Sequence, residues 1–360
     1  MAFENTTLAR GDIAAPAITE FSPEHLHAWL LQRVPGLEGP MRLERIGGGQ
    51  SNPTFFVNFD NRAMVLRKKP AGGKLLPSAH AVDREYRVIT ALAATDVPVP
   101  KAVIYCADEE LIGTPFYLME RLEGRVFPEY TLPEVPREER RAMYFAMAET
   151  MARLHAVDWA AVGLADYGKP GNFFSRQIAR WTRQWELSKR HENADIDRLV
   201  RWLPEHIPAN DDTSISHGDF RFGNLMFHPT EPRVIAVLDW ELSTLGHPMA
   251  DVAYNCIAWH TAPDEFKGML GLDTAALGIP SQSEYLTHYQ KCSGRDDSIT
   301  GFHLAFSMFR FAVILEGIAS RARDGSAAAQ DAADVGRQAG AFARRAVEAI
   351  DWTPGSPHPG

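Results

Sequence analysis

Cysteine is scarce in this chain: Cys106, Cys256 and Cys292 are odd in number and lie far apart. Such a set gives neither a disulfide framework nor the paired spacing of a zinc site, and it suits a reducing, cytoplasmic setting. Basic charge is also in deficit, with 37 Lys and Arg against 46 Asp and Glu and a formal net charge of -9. Counterion-release binding needs a basic surface, so the balance argues against a general nucleic-acid binder. The amino terminus, MAFENTTLARGD, lacks the basic start and apolar core of a signal peptide. No apolar run is expected to reach the roughly eighteen residues that cross a bilayer. The expected ligand is therefore a small molecule, with no nucleic acid and no membrane. What the chain does have is size: 360 residues, 45% hydrophobic, can bury the core of one large domain or of two lobes.

No internal repeat is present. Residues 1–24 read as an N-terminal extension and residues 351–360, DWTPGSPHPG, as a disordered tail. Between Met41 and Leu122 the pattern is mostly strand: MRLERI, a glycine turn, TFFVNF and AMVLRK, then VPVPKAVIYC and PFYLMERLEG. One helix interrupts it in AVDREYRVITALAA, where Glu85, Ile89 and Leu92 fall on a single face. From about Glu138 the pattern turns helical, beginning with REERRAMYFAMAETMARLHAVD and ending with DAADVGRQAGAFARRAVEAI. The fold class expected is α+β, with a β-rich first lobe over residues 25–122 and a mostly helical second lobe over 123–350. Glu120 to Gly124 is the natural hinge.

The chemistry is concentrated in SHGDFRFGNLMFHP, Ser216 to Pro229, followed by VIAVLDWE. Asp219, Asn224 and Asp239 offer two carboxylates and an amide, and hard oxygen ligands of this kind suit Mg²⁺. Phosphoryl transfer needs an Asp to orient and deprotonate the attacking hydroxyl, then an Asn and a second Asp for the metal that bridges the phosphates. Singly, His217 and Asp219 also suit the capping of a turn, and Asp239 the end of a strand. Together they are more specific, because an apolar strand that delivers a carboxylate is costly unless the charge meets a metal or a partner.

HGDFRFGNLMF, VLDWE and HPMADVAY together resemble the signature of the aminoglycoside phosphotransferase-like kinases, which share the two-lobed protein-kinase fold. The resemblance covers roughly residues 25 to 345 and is nearest to the kinase-like domains that accompany some acyl-CoA dehydrogenases. It implies Asp219 as catalytic Asp, Asn224 and Asp239 as metal ligands, His217 as a brace of the catalytic loop and Asp251 as a structural acid. Glu241 is either a further metal ligand or a solvated charge. Among cofactor-binding residues, the glycine turn Gly47-Gly48-Gly49, with Ser51 and Asn52 as polar donors, would cover the ATP phosphates. Arg67 stands where the family carries its phosphate-binding Lys, and it would pair with Glu85. Lys68 is the alternative, since a register slip of one residue turns a side chain to the other face; Lys69 reads as an exposed strand end. Met119 would back the adenine, with the Glu120 carbonyl and Leu122 amide at the base edge.

For the acceptor, Gly171 to Arg190 carries Arg176, Arg180, Arg183, Lys189 and Arg190 against the single acid Glu186, with Trp181 and other aromatics interleaved. The segment is either an amphipathic helix with a solvated basic face or an anion-accepting wall. Arg180, Arg183, Trp181 and His260 are the candidate substrate residues. A polycationic aminoglycoside would want an acidic pocket, so an anionic hydroxy acid or hydroxyacyl-CoA is favoured. The resemblance also implies a functional association with an acyl-CoA dehydrogenase. Other readings are an antibiotic kinase, a nucleotide-binding regulatory module without turnover, a metal-dependent hydrolase and a protein kinase. The hydrolase lacks further ligands, and the protein kinase lacks room for an activation loop between Asp239 and Asp251.

Overall fold

The computed structural model describes residues 20–47, 52–70, 81–189, 191–323 and 332–353. The first lobe is a five-stranded antiparallel sheet of order β1-β2-β3-β5-β4, from Arg42–Arg45 (β1), Thr54–Asn58 (β2), Ala63–Lys68 (β3), Ala102–Cys106 (β4) and Phe116–Glu120 (β5). Helix α1, Pro23–Arg33, precedes it, so the lobe begins ahead of the boundary expected at residue 25. Ser22 caps α1 by accepting from the His25 amide at 3.3 Å, and Pro23 opens it with a preset φ.

Strand side chains alternate between faces, and this sorts the lobe into two cores. Met64, Leu66, Phe116 and Leu118 face α1 and bury Leu26 and Leu30. Val65, Tyr117 and Met119 face the other way, into the core that continues into the second lobe. Helix α2, Val82–Leu92, lies on that side and buries Glu85, Ile89 and Leu92, the three positions expected to share a face.

The second lobe is built on helix α4, Arg137–His155, with two small antiparallel ribbons. One pairs β6, Ser214–Ser216, with β9, Thr244–Gly246; the other pairs β7, Leu225–Phe227, with β8, Val234–Val237. Around them stand α5 (Phe173–Ser188), α6 (Ala194–Glu205), α7 (Pro248–Cys256), α8 (Gln282–Ser293), α9 (Gly301–Arg323) and α10 (Ala332–Glu348).

Two expectations are corrected here. The window Gly301–Ser320 of α9 is long and apolar enough to cross a bilayer, at mean hydropathy 1.5, but 78% of it is buried among α5, α7 and α10 as a core helix. The expected tail is packed at its start: Trp352 is buried beside His260, and its carbonyl accepts from the Gly301 amide at 3.0 Å. Residues 354–360 lie outside the described residues.

Burial also leaves an acid-labile spot in this lobe. His303 is buried, and burial, followed by the neighbouring His247, pushes its pKa down to about 3. The unfolded chain takes up that proton near pH 6.5 and the folded chain does not, so stability is full above about 6.5 and is lost as pH falls toward the folded value. The melting temperature should therefore drop below pH 6, and His303→Gln should flatten that drop. Parallel pH profiles of the two proteins would contradict the assignment.

Candidate active site

Strand β6 delivers the chain to His217 and stops there, because the next residues are tied to a buried acid on α7. Asp251 accepts from the Ser216 hydroxyl at 3.0 Å, the His217 amide at 2.6 Å and the Gly218 amide at 2.9 Å. Burial alone would raise its pKa, but His155, with Nε2 at 3.5 Å, and these donors hold it below the usual carboxylate range. Gly218 is required: its φ is +81°, and a Cβ there would lie 2.8 Å from the Leu242 carbonyl oxygen. His217 Nδ1 accepts from the Asp219 amide at 3.2 Å, which leaves Nε2 to donate to the Leu238 carbonyl at 2.9 Å. The ring thus braces the loop against the strand that leads to Asp239.

Asp219 is one-fifth exposed, and its carboxylate is held from three sides. Asn224 Nδ2 donates to it at 2.7 Å, Arg221 Nε lies 3.1 Å away and Tyr254 donates its hydroxyl to Oδ1. Burial and then the Asp219 charge raise the Tyr254 pKa well above the usual phenol value, so this hydroxyl stays protonated and donating. Arg221 also lines a cavity of about 230 Å³ with Tyr130, Phe222, Phe266, Lys267 and Gln338. Arg221 thus connects the Asp219 carboxylate to a cavity large enough for part of a small molecule.

The first lobe meets this loop through Arg67. Its Nη2 donates to Asp239 Oδ1 at 2.9 Å and its Nε lies 3.4 Å from Glu85 Oε2 without making a hydrogen bond. Glu85 in turn accepts from Asn52 at 2.6 Å and from the Tyr117 hydroxyl at 3.0 Å. Burial raises the Glu85 pKa, and the Arg67 charge opposes it. Burial would lower the Arg67 pKa, but the charges of Glu85, Tyr117 and Asp239 prevail and raise it. Asp239 itself sits at φ 63°, a left-handed conformation that Asp tolerates better than most residues. Lys68 points to the opposite face, fully buried, with Nζ 3.6 Å from Glu20 and 5.3 Å from the Phe21 ring centroid.

The sequence profile of the Phosphotransferase enzyme family, APH, matches residues 42–281. The chain belongs to this family. A crystal structure from Ralstonia eutropha, named for the aminoglycoside phosphotransferases, is 50% identical, with a TM-score of 0.83 over 92% of this chain and 98% of that one. The aminoglycoside phosphotransferase APH(4)-Ia, solved as a ternary complex with ADP and hygromycin B, shares the fold at 18% identity and a TM-score of 0.58, over 88% and 97%. Acyl-CoA dehydrogenase family member 10 of Mus musculus is 44% identical over 83% of this chain, and family member 11 of Gallus gallus is 39% identical over 91%. The chain spans 28% and 43% of those two relatives' lengths.

The remaining expected site residues of this phosphotransferase divide three ways. Gly48, Gly49 and Ser51 lie outside the described residues. Met119 is buried opposite Val65 on the cleft face of β5, the Glu120 amide donates to the Lys101 carbonyl at 2.9 Å, and Leu122 follows the strand half-buried. Asn52, expected as a phosphate donor, is instead buried with its Nδ2 on Glu85. Glu241 stands half-buried in the short turn after Asp239. Among the described residues, the His, Cys and acid cluster with metal-like spacing is Glu149, His288 and Cys292, which includes neither Glu241 nor the loop acids.

The candidate acceptor residues separate as well. Arg176 is turned back onto the Gly171 and Lys169 carbonyls, Lys189 pairs with Glu186 at 2.9 Å, and Arg183 is exposed. Arg180 and Trp181 sit beside Arg310, which reaches the catalytic loop. His260 is a correction: it is buried, with Nε2 2.9 Å from Gln282 Oε1 and its ring against Trp352, so it belongs to the core rather than to a loop over the acceptor. Sequence reasoning missed Arg221, Tyr254 and Arg310. The first two lie inside quoted motifs, in HGDFRFGN and MADVAY; Arg310 sits in an apolar helix and carries no local signal.

Proposed function

We propose that this phosphotransferase uses ATP and Mg²⁺ to phosphorylate a hydroxyl of a small anionic molecule, a hydroxyacyl-CoA or a hydroxy acid. The observation that carries the reading is the Asp219 carboxylate, oriented by Asn224, Arg221 and Tyr254 on a loop that His217 ties to the residue before a second acid, Asp239. The residues present fit both absent groups. Asp239 and the Asn224 amide oxygen are hard oxygen donors of the kind Mg²⁺ takes. The buried Nε of Arg67, close to Glu85 but without a hydrogen bond, is a donor that a phosphate oxygen would satisfy.

In this reading Asp219 accepts the proton of the acceptor hydroxyl, and Arg221 beside it screens negative charge near the reacting oxygen. Asn224 fixes the Asp219 rotamer through Nδ2 while offering Oδ1 to the metal. Glu85 holds Arg67 extended toward the phosphates, and Met119 with the Glu120 carbonyl and Leu122 amide receives the base. Bound Mg²⁺ would neutralise the charge of the β- and γ-phosphates during transfer. An aminoglycoside acceptor fits less well, since Arg221 and Lys267 line the cavity against the one acid Asp264, and Arg310 reaches the catalytic loop with Arg180 beside the same ring. The names of the dehydrogenase relatives support an acyl-CoA acceptor, and functional coupling to a dehydrogenase is part of the proposal.

The register of β3 supplies a test. Arg67→Ala should raise the ATP requirement sharply and also lower stability by about 3 kcal/mol or more, since Glu85 would be left buried without its charge partner. Arg67→Lys should restore part of both. Lys68→Met should change stability through the lost Glu20 and Phe21 contacts and leave the ATP requirement alone. A rise in ATP KM in Lys68→Met, with none in Arg67→Ala, would reverse the assignment.

A further inference from the structure

Most arginines of the second lobe are matched to an acceptor. Arg295 pairs with Asp212 and Asp297, Arg344 and Arg345 pair with Glu265, and Arg176 meets two carbonyls. Beside the catalytic loop Arg180 is exposed and meets no acceptor among the described residues, and Arg310 meets a backbone carbonyl but no acid. Arg180, on α5, has its Cζ 5.3 Å from the centroid of the Trp181 ring, and Arg310, on α9, has its Cζ 5.7 Å from the same ring. Arg310 also donates to the Gly218 carbonyl at 2.7 Å and lies 5.9 Å from the ring of Tyr254, whose hydroxyl is on Asp219. Among the described residues, neither guanidinium has a carboxylate within ion-pair distance. Their charges act on each other: burial and then Arg310 hold the Arg180 pKa below its usual value.

Two guanidinia flank one indole with no carboxylate partner, and one of them is held on the residue before Asp219; although Arg180 is exposed, the pair leaves a local positive field that an anion would complete. We propose that Arg180, Arg310 and Trp181 form a subsite for an oxyanion carried by the acceptor, placing its hydroxyl at Asp219. The proposal rests on the kinase reading above and adds the residues that select the acceptor. A planar fork grips carboxylate or phosphate oxygens pairwise, and the Trp181 ring lies within cation–π distance of both guanidinia. Arg183, on the same helix, is not one of the two cations on the Trp181 ring and takes no part. The oxyanion is either the carboxylate of a free hydroxy acid or a phosphate of a CoA ester.

Three acceptors distinguish these sources: 3-hydroxybutyrate, 3-hydroxybutyryl-CoA and the neutral 3-hydroxybutyryl-N-acetylcysteamine ester. The wild-type enzyme should prefer one charged acceptor over the neutral ester. Arg180→Gln and Arg310→Gln should each raise the KM for that acceptor by about tenfold or more, with a smaller change in kcat, and so erase the preference. Arg180→Lys should recover part of it, which a purely structural role would not produce. A KM increase for ATP instead of the acceptor, or a preference unchanged in both variants, would overturn the subsite. If none of the three is phosphorylated, thermal stabilisation by inorganic phosphate decides, with the protein free and saturated with Mg-AMP-PNP. Stabilisation present in the wild type and lost in both Gln variants supports the subsite; none in the wild type, or an equal effect in all three, contradicts it. Failure of Mg-AMP-PNP to bind at all would count against the kinase reading separately.

Discussion

Asp219→Asn is expected to fold, to bind nucleotide as the parent does and to lose about a hundredfold to ten-thousandfold in turnover, the usual range for removal of a general base. The substitution is nearly isosteric, but it leaves one side-chain oxygen for the donors Tyr254, Arg221 and Asn224, while the proton acceptor and its charge disappear. Asn224 is the sensitive neighbour, because its Nδ2 already donates to Asp219 Oδ2 at 2.7 Å. An amide in place of the carboxylate must present its oxygen there, or two donors will face each other. Melting curves with and without Mg-ATP separate this local effect from loss of the fold. A variant that phosphorylates its acceptor at the wild-type rate would remove Asp219 from the reaction.

Asp239→Ala carries the second large effect, with its readout in binding. Its carboxylate is one of the two side-chain oxygen ligands assigned to the metal and is also the partner of Arg67 Nη2 at 2.9 Å. Removing it should abolish stabilisation by Mg-ATP while retaining a weak response to ATP without metal, since Arg67 is then freed toward the phosphates. Ala gains nothing at the φ of 63°, which Asp tolerates better, and Arg67 loses a charge partner, so the unliganded protein is also expected to lose some stability. Stabilisation by Mg-ATP equal to that of the parent would take Asp239 out of the metal site.

The motif residues were legible because their roles are local. His-Gly-Asp needs a glycine at positive φ and a short reach to the next strand, so sequence order nearly determines geometry at His217, Gly218, Asp219 and Asn224. The Arg67 and Lys68 alternatives could not be separated in sequence, because AMVLRKKP is apolar on both faces and the parity of the strand is set only by its neighbours. Once Val65 pairs with Met119 and faces the second lobe, Arg67 must follow it and Lys68 must turn toward α1. Asn52 was misread for a related reason. A polar residue after a glycine turn suits a phosphate, and nothing nearby in the sequence shows that Glu85, 33 positions on, waits behind it. Helix α1 carries a readable Ser22-Pro23 start, which lies two residues ahead of the boundary expected at residue 25. Arg310 lay beyond any local signal, since a single charge in a buried helix acquires meaning only when α5 and the catalytic loop meet it. His260 shows the opposite error: a histidine before a polar loop suggested exposure, and tertiary packing against Trp352 and Gln282 buried it.

The most direct measurement of the central claim is mass spectrometry of small-molecule acceptors incubated with the purified protein and Mg-ATP. The panel should hold hydroxy acids, their CoA thioesters and kanamycin. The account predicts ATP-dependent gain of one phosphate on a hydroxy acid or its CoA ester, little on kanamycin, and loss of the product with Asp219→Asn. Phosphorylation confined to kanamycin would contradict the anionic acceptor, and phosphate gain undiminished in Asp219→Asn would contradict the site itself.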